Sequence, residues 1–158
     1  MKKPKSGISY IKVIGAITLC LYLALSFSPS KALAVHVSFS SGDSLVMYDD
    51  KGILSPKRCS DKRVSDSSAY TPATLYDEEC CGDEVRLEVD VDATQYGNKV
   101  IFDGDTKLFE GSSCHSNSLE DTQGFRVEAE IGGETARTDF RLRDHQNEAY
   151  GTLYFEAY

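Results

Sequence analysis

The segment from Gly124 to Arg143 constrains the fold most strongly, because apolar and charged residues alternate along it. A period of two residues is typical of a β-strand with one buried face. Two adjacent glycines then interrupt the pattern, and it resumes after them. The sequence therefore predicts a β-hairpin that turns at Gly132-Gly133, with Ile131 opposite Glu134. The apolar positions before the turn are Phe125, Val127, Ala129 and Ile131.

The register of this predicted hairpin places opposite charges across from each other. Glu128 would lie opposite Arg137, and Arg126 opposite Asp139. Each such cross-strand pair stabilises a sheet by roughly 0.2–1 kcal/mol. A slip of one residue would destroy both the charge pairs and the apolar face.

Several other segments show the same alternation. Val35 to Phe39, Leu45 to Tyr48, Glu84 to Val91 and Tyr150 to Tyr158 each predict one strand, and Asp49 to Gly52 predicts a turn. Lys99 to Phe102 and Lys107 to Glu110 suggest a second hairpin, because Gly104-Asp105 suits a type II′ turn. The residues after the N-terminal 34 show no helical period, and about eight short strands predict an all-β fold. We expect an antiparallel β-sandwich, with a small β-barrel as the alternative.

The first 34 residues have the features of a secretory signal peptide. Four lysines precede an apolar run from Val13 to Phe27, and Ala32-Leu33-Ala34 follows as a small-residue cleavage site. We expect cleavage after Ala34 and a single secreted domain at 35–158, extracellular or periplasmic. The apolar run is shorter than the about 20 residues that span a bilayer, so we expect no membrane attachment of the mature form.

The mature part is strongly acidic. It carries 12 Lys and Arg against 25 Asp and Glu, a net charge of −13. Such a charge repels phosphate, so the composition argues against nucleic acid as a partner. It favours either a solvated secreted surface or attraction to cations and basic partners.

Four cysteines remain after cleavage at the predicted site. An even number in an exported chain predicts disulfide bonds between Cys59, Cys80, Cys81 and Cys114. A bond between the neighbours Cys80 and Cys81 would be strained. Cys59 and Cys114 should therefore each bond to one of the adjacent pair, and the spacing leaves both pairings open. We expect these bonds to tether two irregular loops, 55–83 and 111–123, and not to lie in the core.

Two groups of residues are candidate ligand sites. Tyr150, Tyr154 and Tyr158 lie on one face of the last strand, where their rings can stack on sugars or pack on a protein. Four aspartates near the predicted strand ends and turns offer hard oxygen ligands to calcium, the one cofactor that the sequence suggests. These four are Asp90, Asp92, Asp103 and Asp105.

No catalytic motif is present, and the three histidines lie in separate segments. The leading hypothesis is therefore a secreted, non-catalytic binding domain, not an enzyme, whose loops contact a protein or glycan. The alternative is a small secreted hydrolase that uses carboxylates or His115.

Overall fold

The computed structural model describes residues 34–49 and 57–158 as two antiparallel β-sheets packed as a sandwich. The predicted fold class is confirmed, with ten strands in these residues where the sequence suggested about eight. Residues 1–33 of the predicted signal peptide at 1–34, and residues 50–52 of the predicted turn at Asp49 to Gly52, lie outside the described residues. Asp49 itself is the last residue of β2. The strands are β1 (Val37–Ser40), β2 (Val46–Asp49), β3 (Lys57–Cys59), β4 (Ser65–Ser68), β5 (Ala73–Cys81), β6 (Val85–Tyr96), β7 (Lys99–Glu110), β8 (Ser118–Glu130), β9 (Ala136–Arg143) and β10 (Glu148–Ala157).

Strand β10 organises the first, six-stranded sheet. One of its edges pairs with β9, from Glu148 opposite Arg143 to Phe155 opposite Ala136. Its other edge pairs first with β2 and then with β1, and β3 and β4 extend the sheet outward from these two strands. The Ser44 hydroxyl bonds both backbone groups of Thr152 and so bridges the gap between β2 and β1.

The second sheet is a meander in the order β5-β6-β7-β8. Its inner face packs on that of the first sheet, where Phe155 lies 5.0 Å from Phe102 and 5.4 Å from Phe125 between ring centroids. The alternating apolar residues of β6 and β10 are almost completely buried there, as their period of two predicts. Ala34–Tyr158 clusters as one compact unit. Among the described residues, none forms a helix long and apolar enough to cross a membrane.

The predicted hairpin at Gly124 to Arg143 is wrong in its pairing. Both segments are strands with the predicted buried faces, but β8 pairs with β7 and β9 pairs with β10. Gly132-Gly133 lies at the corner where the chain passes from one sheet to the other. Arg126 therefore pairs with Asp103, at 2.5 Å, and Glu128 with Lys99, at 3.2 Å. The alternation of apolar and charged residues predicted which face of each strand is buried, but not which other strand pairs with it.

The predicted second hairpin is also wrong, because β7 runs without a break through Gly104. The turn lies earlier, at Gly97-Asn98, and Gly97 has a φ of +64°. Glycine is needed at position 104 because the backbone of β6 and the Phe125 ring lie too close to leave room for a side chain. A Cβ there would overlap the carbonyl oxygen of Asp90 and lie 3.0 Å from the Phe125 ring.

Gly104→Ala should destabilise the protein by about 1–3 kcal/mol, the usual cost of overpacking a filled site. Urea unfolding monitored by circular dichroism measures this loss. Gly124→Ala is the matched control, because its new Cβ would lie 3.2 Å from the movable end of the Asp105 side chain and at an ordinary contact distance of 3.9 Å from the Gly104 carbonyl oxygen. An equal loss in both variants would contradict the role given to Gly104.

The disulfides pair Cys59 with Cys81 and Cys80 with Cys114. Cys80 and Cys81 are consecutive residues of β5, so their side chains point to opposite sides of the sheet. Cys81 is fully buried and reaches β3 of the first sheet, whereas Cys80 points outward to the 111–117 loop. The expectation that both bonds tether loops is therefore wrong for Cys59–Cys81, which joins the two sheets inside the core.

The predicted irregular loop at 55–83 is likewise corrected, since it contains β3, β4 and β5. Polar residues dominate β4 and hide its strand character. Its backbone and that of β5 are joined through side chains, with Ser65 N–H donating to Asp77 and Tyr76 N–H donating to Asp66. These carboxylates accept hydrogen bonds from backbone N–H groups that would otherwise be unpaired at the edge of a sheet.

The predicted irregular loop at 111–123 is also corrected, because β8 begins at Ser118. The remaining 111–117 loop covers a buried arginine. The Arg86 guanidinium donates to the Cys114 carbonyl oxygen at 2.8 Å, pairs with Glu88 at 2.7 Å and lies 4.6 Å from the centre of the Phe109 ring. Only 6% of the Arg86 side chain is exposed. The Cys80–Cys114 bond thus holds the loop over a buried ion pair.

Candidate functional site

The outward side of the first sheet carries the predicted tyrosines. Tyr150, Tyr154 and Tyr158 all point away from the core, while Leu153, Phe155 and Ala157 point into it. Tyr158 stacks on His36 with ring centroids 4.7 Å apart. Tyr150 has a different neighbour, Tyr48 of β2, with centroids 6.4 Å apart and planes 28° from parallel. We call this outward side of β1, β2, β3, β9 and β10 the tyrosine face.

One row of side chains crosses four strands of the tyrosine face. The register places Arg143 of β9 beside Glu148 of β10, Glu148 beside Tyr48 of β2, and Tyr48 beside Arg58 of β3. In the next row along β10, Arg141 lies beside Tyr150, and in the row after that Asp139 lies beside Thr152. Sequence reasoning missed the residues from β2, β3 and β9, because only strand pairing brings them to the tyrosines.

Glu148 anchors the centre of this face. It is 3% exposed, and its Oε1 accepts from Nε and Nη2 of Arg141 at 2.6 and 2.5 Å. The Arg141 guanidinium in turn lies 5.6 Å from the centre of the Tyr150 ring. Asp139 accepts from the Thr152 hydroxyl at 2.7 Å. These contacts fix the side chains around Tyr150 in defined positions, which lowers the entropic cost of binding a ligand.

An open cavity of about 930 Å³ lies on the tyrosine face. Its lining combines three aromatic residues, the outward Tyr48 and Tyr150 and the buried Phe140, with hydroxyl, amide, carboxylate and guanidinium groups. Most ligand sites share this mixture of apolar surface and a few oriented polar groups. The polar groups come from Ser44, Gln123, Asp139, Arg141, Glu148 and Thr152.

The four predicted calcium ligands meet on the outward side of the second sheet. They lie within strands and not at strand ends, with Asp90 opposite Asp105 and Asp92 opposite Asp103. A second cavity, of about 890 Å³, is lined by all four. Two of them are already paired with cations, Asp90 with Lys107 and Asp103 with Arg126, each at 2.5 Å. The hydrogen bond from Lys107 to Asp90 raises the pKa of Lys107. Calcium binding here stays a prediction.

A different group of three acidic residues has carboxylate oxygens spaced closely enough to bind a metal ion. In the described part of the chain, the carboxylate oxygens of Glu110, Glu120 and Asp144 lie within 4.8 Å of one another. A hydrogen bond with Asp144, helped by burial, raises the pKa of Glu110. Burial pushes the pKa of Asp144 upward, but hydrogen bonds from Asn147 and Gln146 outweigh it and hold this pKa below its ordinary value. Glu110 therefore keeps its proton above the pH at which a free glutamate loses it.

Glu110→Gln should stabilise the protein at pH 7–8 but not at pH 4. An acid whose pKa is raised by folding stabilises the fold below its unfolded pKa of 4.5, and this contribution is lost as the pH rises through the folded pKa. Glutamine cannot lose a proton, so its amide goes on donating to Asp144 at every pH. Chemical unfolding between pH 4 and 8 tests this, with the exposed Glu130→Gln as the control. A pH-independent difference between Glu110→Gln and the unmodified protein would contradict the shared proton.

The histidines do not form a centre. His115 lies exposed in the 111–117 loop, His145 lies exposed after β9, and His36 stacks on Tyr158. Within the described ranges, the acidic trio that has metal-ligand spacing includes no histidine. Cys114 is in a disulfide, so Cys114-His115 does not offer a thiolate to a metal.

No protein-family model, no curated protein and no solved structure matches this chain.

Proposed function

We propose that this chain is a secreted, non-catalytic binding domain that takes a glycan on the tyrosine face. The observation that carries the proposal is the cavity in which the rings of Tyr48 and Tyr150 lie beside hydrogen-bonding groups of β9 and β10. The two disulfides are compatible with an exported protein, since such bonds persist in oxidising compartments.

A sugar has the chemistry that this surface complements. Its C–H groups form an apolar patch that packs on a tyrosine ring, while its hydroxyls need donors and acceptors around the edge. Arg141 supplies donors, Asp139 supplies acceptors, and the Thr152 hydroxyl supplies both. Because the rings lie on paired strands, they are held more rigidly than rings on a loop.

The two carboxylates in this cavity are already engaged in contacts within the protein, which favours a binding function over catalysis. Glu148 is buried in an ion pair with Arg141, and Asp139 accepts a hydrogen bond from Thr152. Glycoside hydrolysis needs one carboxyl group to donate a proton and a second to attack or activate water. Neither role suits a carboxylate that is held by an arginine inside the sheet.

The alternative, a small secreted hydrolase using carboxylates or His115, has support from a different place. Glu110 and Asp144 have pKa values shifted in opposite directions, a pattern that often marks an acid and base pair. Neither residue lines the two cavities described above. Turnover of any substrate that Glu110→Gln or His115→Ala abolishes would favour the hydrolase over the binding domain.

Tyr150→Ala should weaken glycan binding at least tenfold, the loss of about 1.4 kcal/mol that a stacked ring contributes. Residues 35–158 would be screened on a glycan array, and the oligosaccharides that bind would be measured by calorimetry. Tyr96→Ala is the control, because Tyr96 is 62% exposed on the second sheet. Equal losses in both variants would contradict the proposed site, and binding to no glycan on the array would overturn the proposed function.

A further inference from the structure

The arginines of the tyrosine face differ from the other basic residues of the domain. In the described ranges seven basic side chains form ion pairs with carboxylates within 4.0 Å. These seven are Lys62, Arg63, Arg86, Lys99, Lys107, Arg126 and Arg141. The four that form no ion pair there are Lys57, Arg58, Arg137 and Arg143, and the register places the three arginines on the tyrosine face.

Unpaired arginines are unexpected here, because from residue 35 onward 25 Asp and Glu stand against 12 Lys and Arg. Each of the three is exposed, so the lack of an ion pair does not come from burial away from the acidic residues. A guanidinium has a planar set of donors that matches a carboxylate or sulfate, and it stacks on aromatic rings. Exposed arginines on a face that also carries tyrosine rings are therefore suited to an anionic ligand.

None of these three arginines lines the cavity, but the register places each in a row that also holds a residue of the cavity or one of the outward tyrosines. Arg58 and Arg143 lie at the two ends of the row that has Glu148 and Tyr48 at its centre. Three strand spacings separate them, so their backbones are roughly 14 Å apart. Arg137 lies further along β9, beside Tyr154. A ligand stacked on Tyr48 and Tyr150 would have a cationic group within reach at more than one point.

The overall acidity of the domain does not exclude such a ligand. Charges separated by more than about 8 Å of physiological solution are largely screened, and the two outer surfaces are separated by the whole thickness of the sandwich. The aspartates around the second cavity therefore have little effect on the tyrosine face. On the tyrosine face itself, Arg141 neutralises Glu148, and in the described ranges the exposed acidic residues of its strands are Asp139 and Glu156. Asp121 of β8 lies beside its edge, where it accepts from the backbone N–H of Arg143 at 2.9 Å.

Building on the proposed function, we infer that the glycan bound by the tyrosine face is acidic, with carboxylate or sulfate groups that contact Arg58, Arg143 and Arg137. The rings supply stacking on the sugar, and the arginines select the charged substituents. Such a ligand should bind less tightly as salt concentration rises, because exposed charge pairs are screened.

The test uses residues 35–158 and three acidic probes: oligomers of polygalacturonate, of alginate and of a heparan-type sulfated chain. Each is matched by its carboxyl-reduced or desulfated form. We expect binding to at least one acidic probe and at least tenfold weaker binding to its neutral form. The double variant Arg58→Gln/Arg143→Gln should lose at least tenfold in affinity for that probe. Lys99→Gln/Arg126→Gln removes the same charge from the second sheet and should change affinity less than twofold.

The outcomes separate this inference from the proposed function. Equal affinity for the acidic and neutral forms would overturn the acidic-ligand inference and leave glycan binding intact. Binding to no glycan would overturn both. Poly-glutamate serves as an acidic peptide probe, and affinity for it equal to that for the acidic sugars would show that the face binds polyanions without recognising sugar. Thermal unfolding of both double variants verifies that these exposed substitutions leave the fold intact.

Discussion

Replacing Cys59 and Cys81 together with alanine should destabilise the domain by about 4–6 kcal/mol. The bond closes 22 residues, for which chain entropy gives about 3–4 kcal/mol. Both sulfur atoms also lie in the core between the sheets, so alanine leaves a cavity that costs about 1–2 kcal/mol more. Denaturant unfolding of the double variant measures the total.

The matched control is the double variant Cys80→Ala/Cys114→Ala. This bond closes 34 residues, so chain entropy alone would make it the more stabilising of the two. Cys80 and Cys114 are only partly buried and lie outside the core, however, and removal of their bond should mainly loosen the 111–117 loop. A larger loss of stability in this variant than in the first would contradict the assignment of Cys59–Cys81 to the core.

Arg86→Met should destabilise the domain by about 3–5 kcal/mol, because removing one partner leaves a buried ion pair uncompensated. Glu88, only 15% exposed, would lose its cation, and the Cys114 carbonyl would lose its donor. Amide hydrogen exchange should show the 111–117 loop opening in this variant.

Arg126→Met is the control for Arg86→Met, since it removes the same charge from an exposed pair with Asp103 on the same sheet. Exposed pairs contribute about 0–1 kcal/mol. If the two variants lost equal stability, the Arg86 pair would not be the buried contact that the structure describes.

The direction of side chains in this fold could be predicted from the sequence, but the pairing of strands could not. A period of two residues reports which positions face the core, and it did so correctly for β6 and β10, where those positions are buried, and for β8, whose Phe125 and Val127 are partly buried against the core. It carries no information on the neighbouring strand. Gly132-Gly133 suits a tight hairpin as well as a corner between sheets, and the charges of Arg126 and Glu128 found partners on β7 instead of β9.

The disulfide pairing shows the same limit. The sequence restricted it to two possibilities, and the choice depends on Cys80 and Cys81 lying in a strand. Their segment is polar and gave no sign of alternation, so β5 was not predicted. Once β5 is known, Cys81 must point inward to Cys59 and Cys80 outward to Cys114.

Half of the candidate site was visible in the sequence. The outward tyrosines of β10 follow directly from the alternation around Leu153 and Phe155. Tyr48 joins them through the pairing of β2 with β10, in which Glu148 lies opposite Tyr48, 100 positions away in sequence. Arg58 follows through the pairing of β3 with β2, and the β9 arginines join through the pairing of β9 with β10. The four aspartates were brought together by the β6–β7 pairing, although the sequence had placed them at strand ends or turns.

The location of the binding surface can be measured most directly by NMR. Isotope-labelled 35–158 would be titrated with the acidic oligosaccharide that binds most tightly on the array, and amide shift changes would be followed residue by residue. We expect the largest changes in β2, β9 and β10 around Tyr48, Arg141 and Tyr150. Largest changes around Asp92 and Asp103 of the second sheet, or in the 111–117 loop, would contradict the tyrosine face as the binding surface.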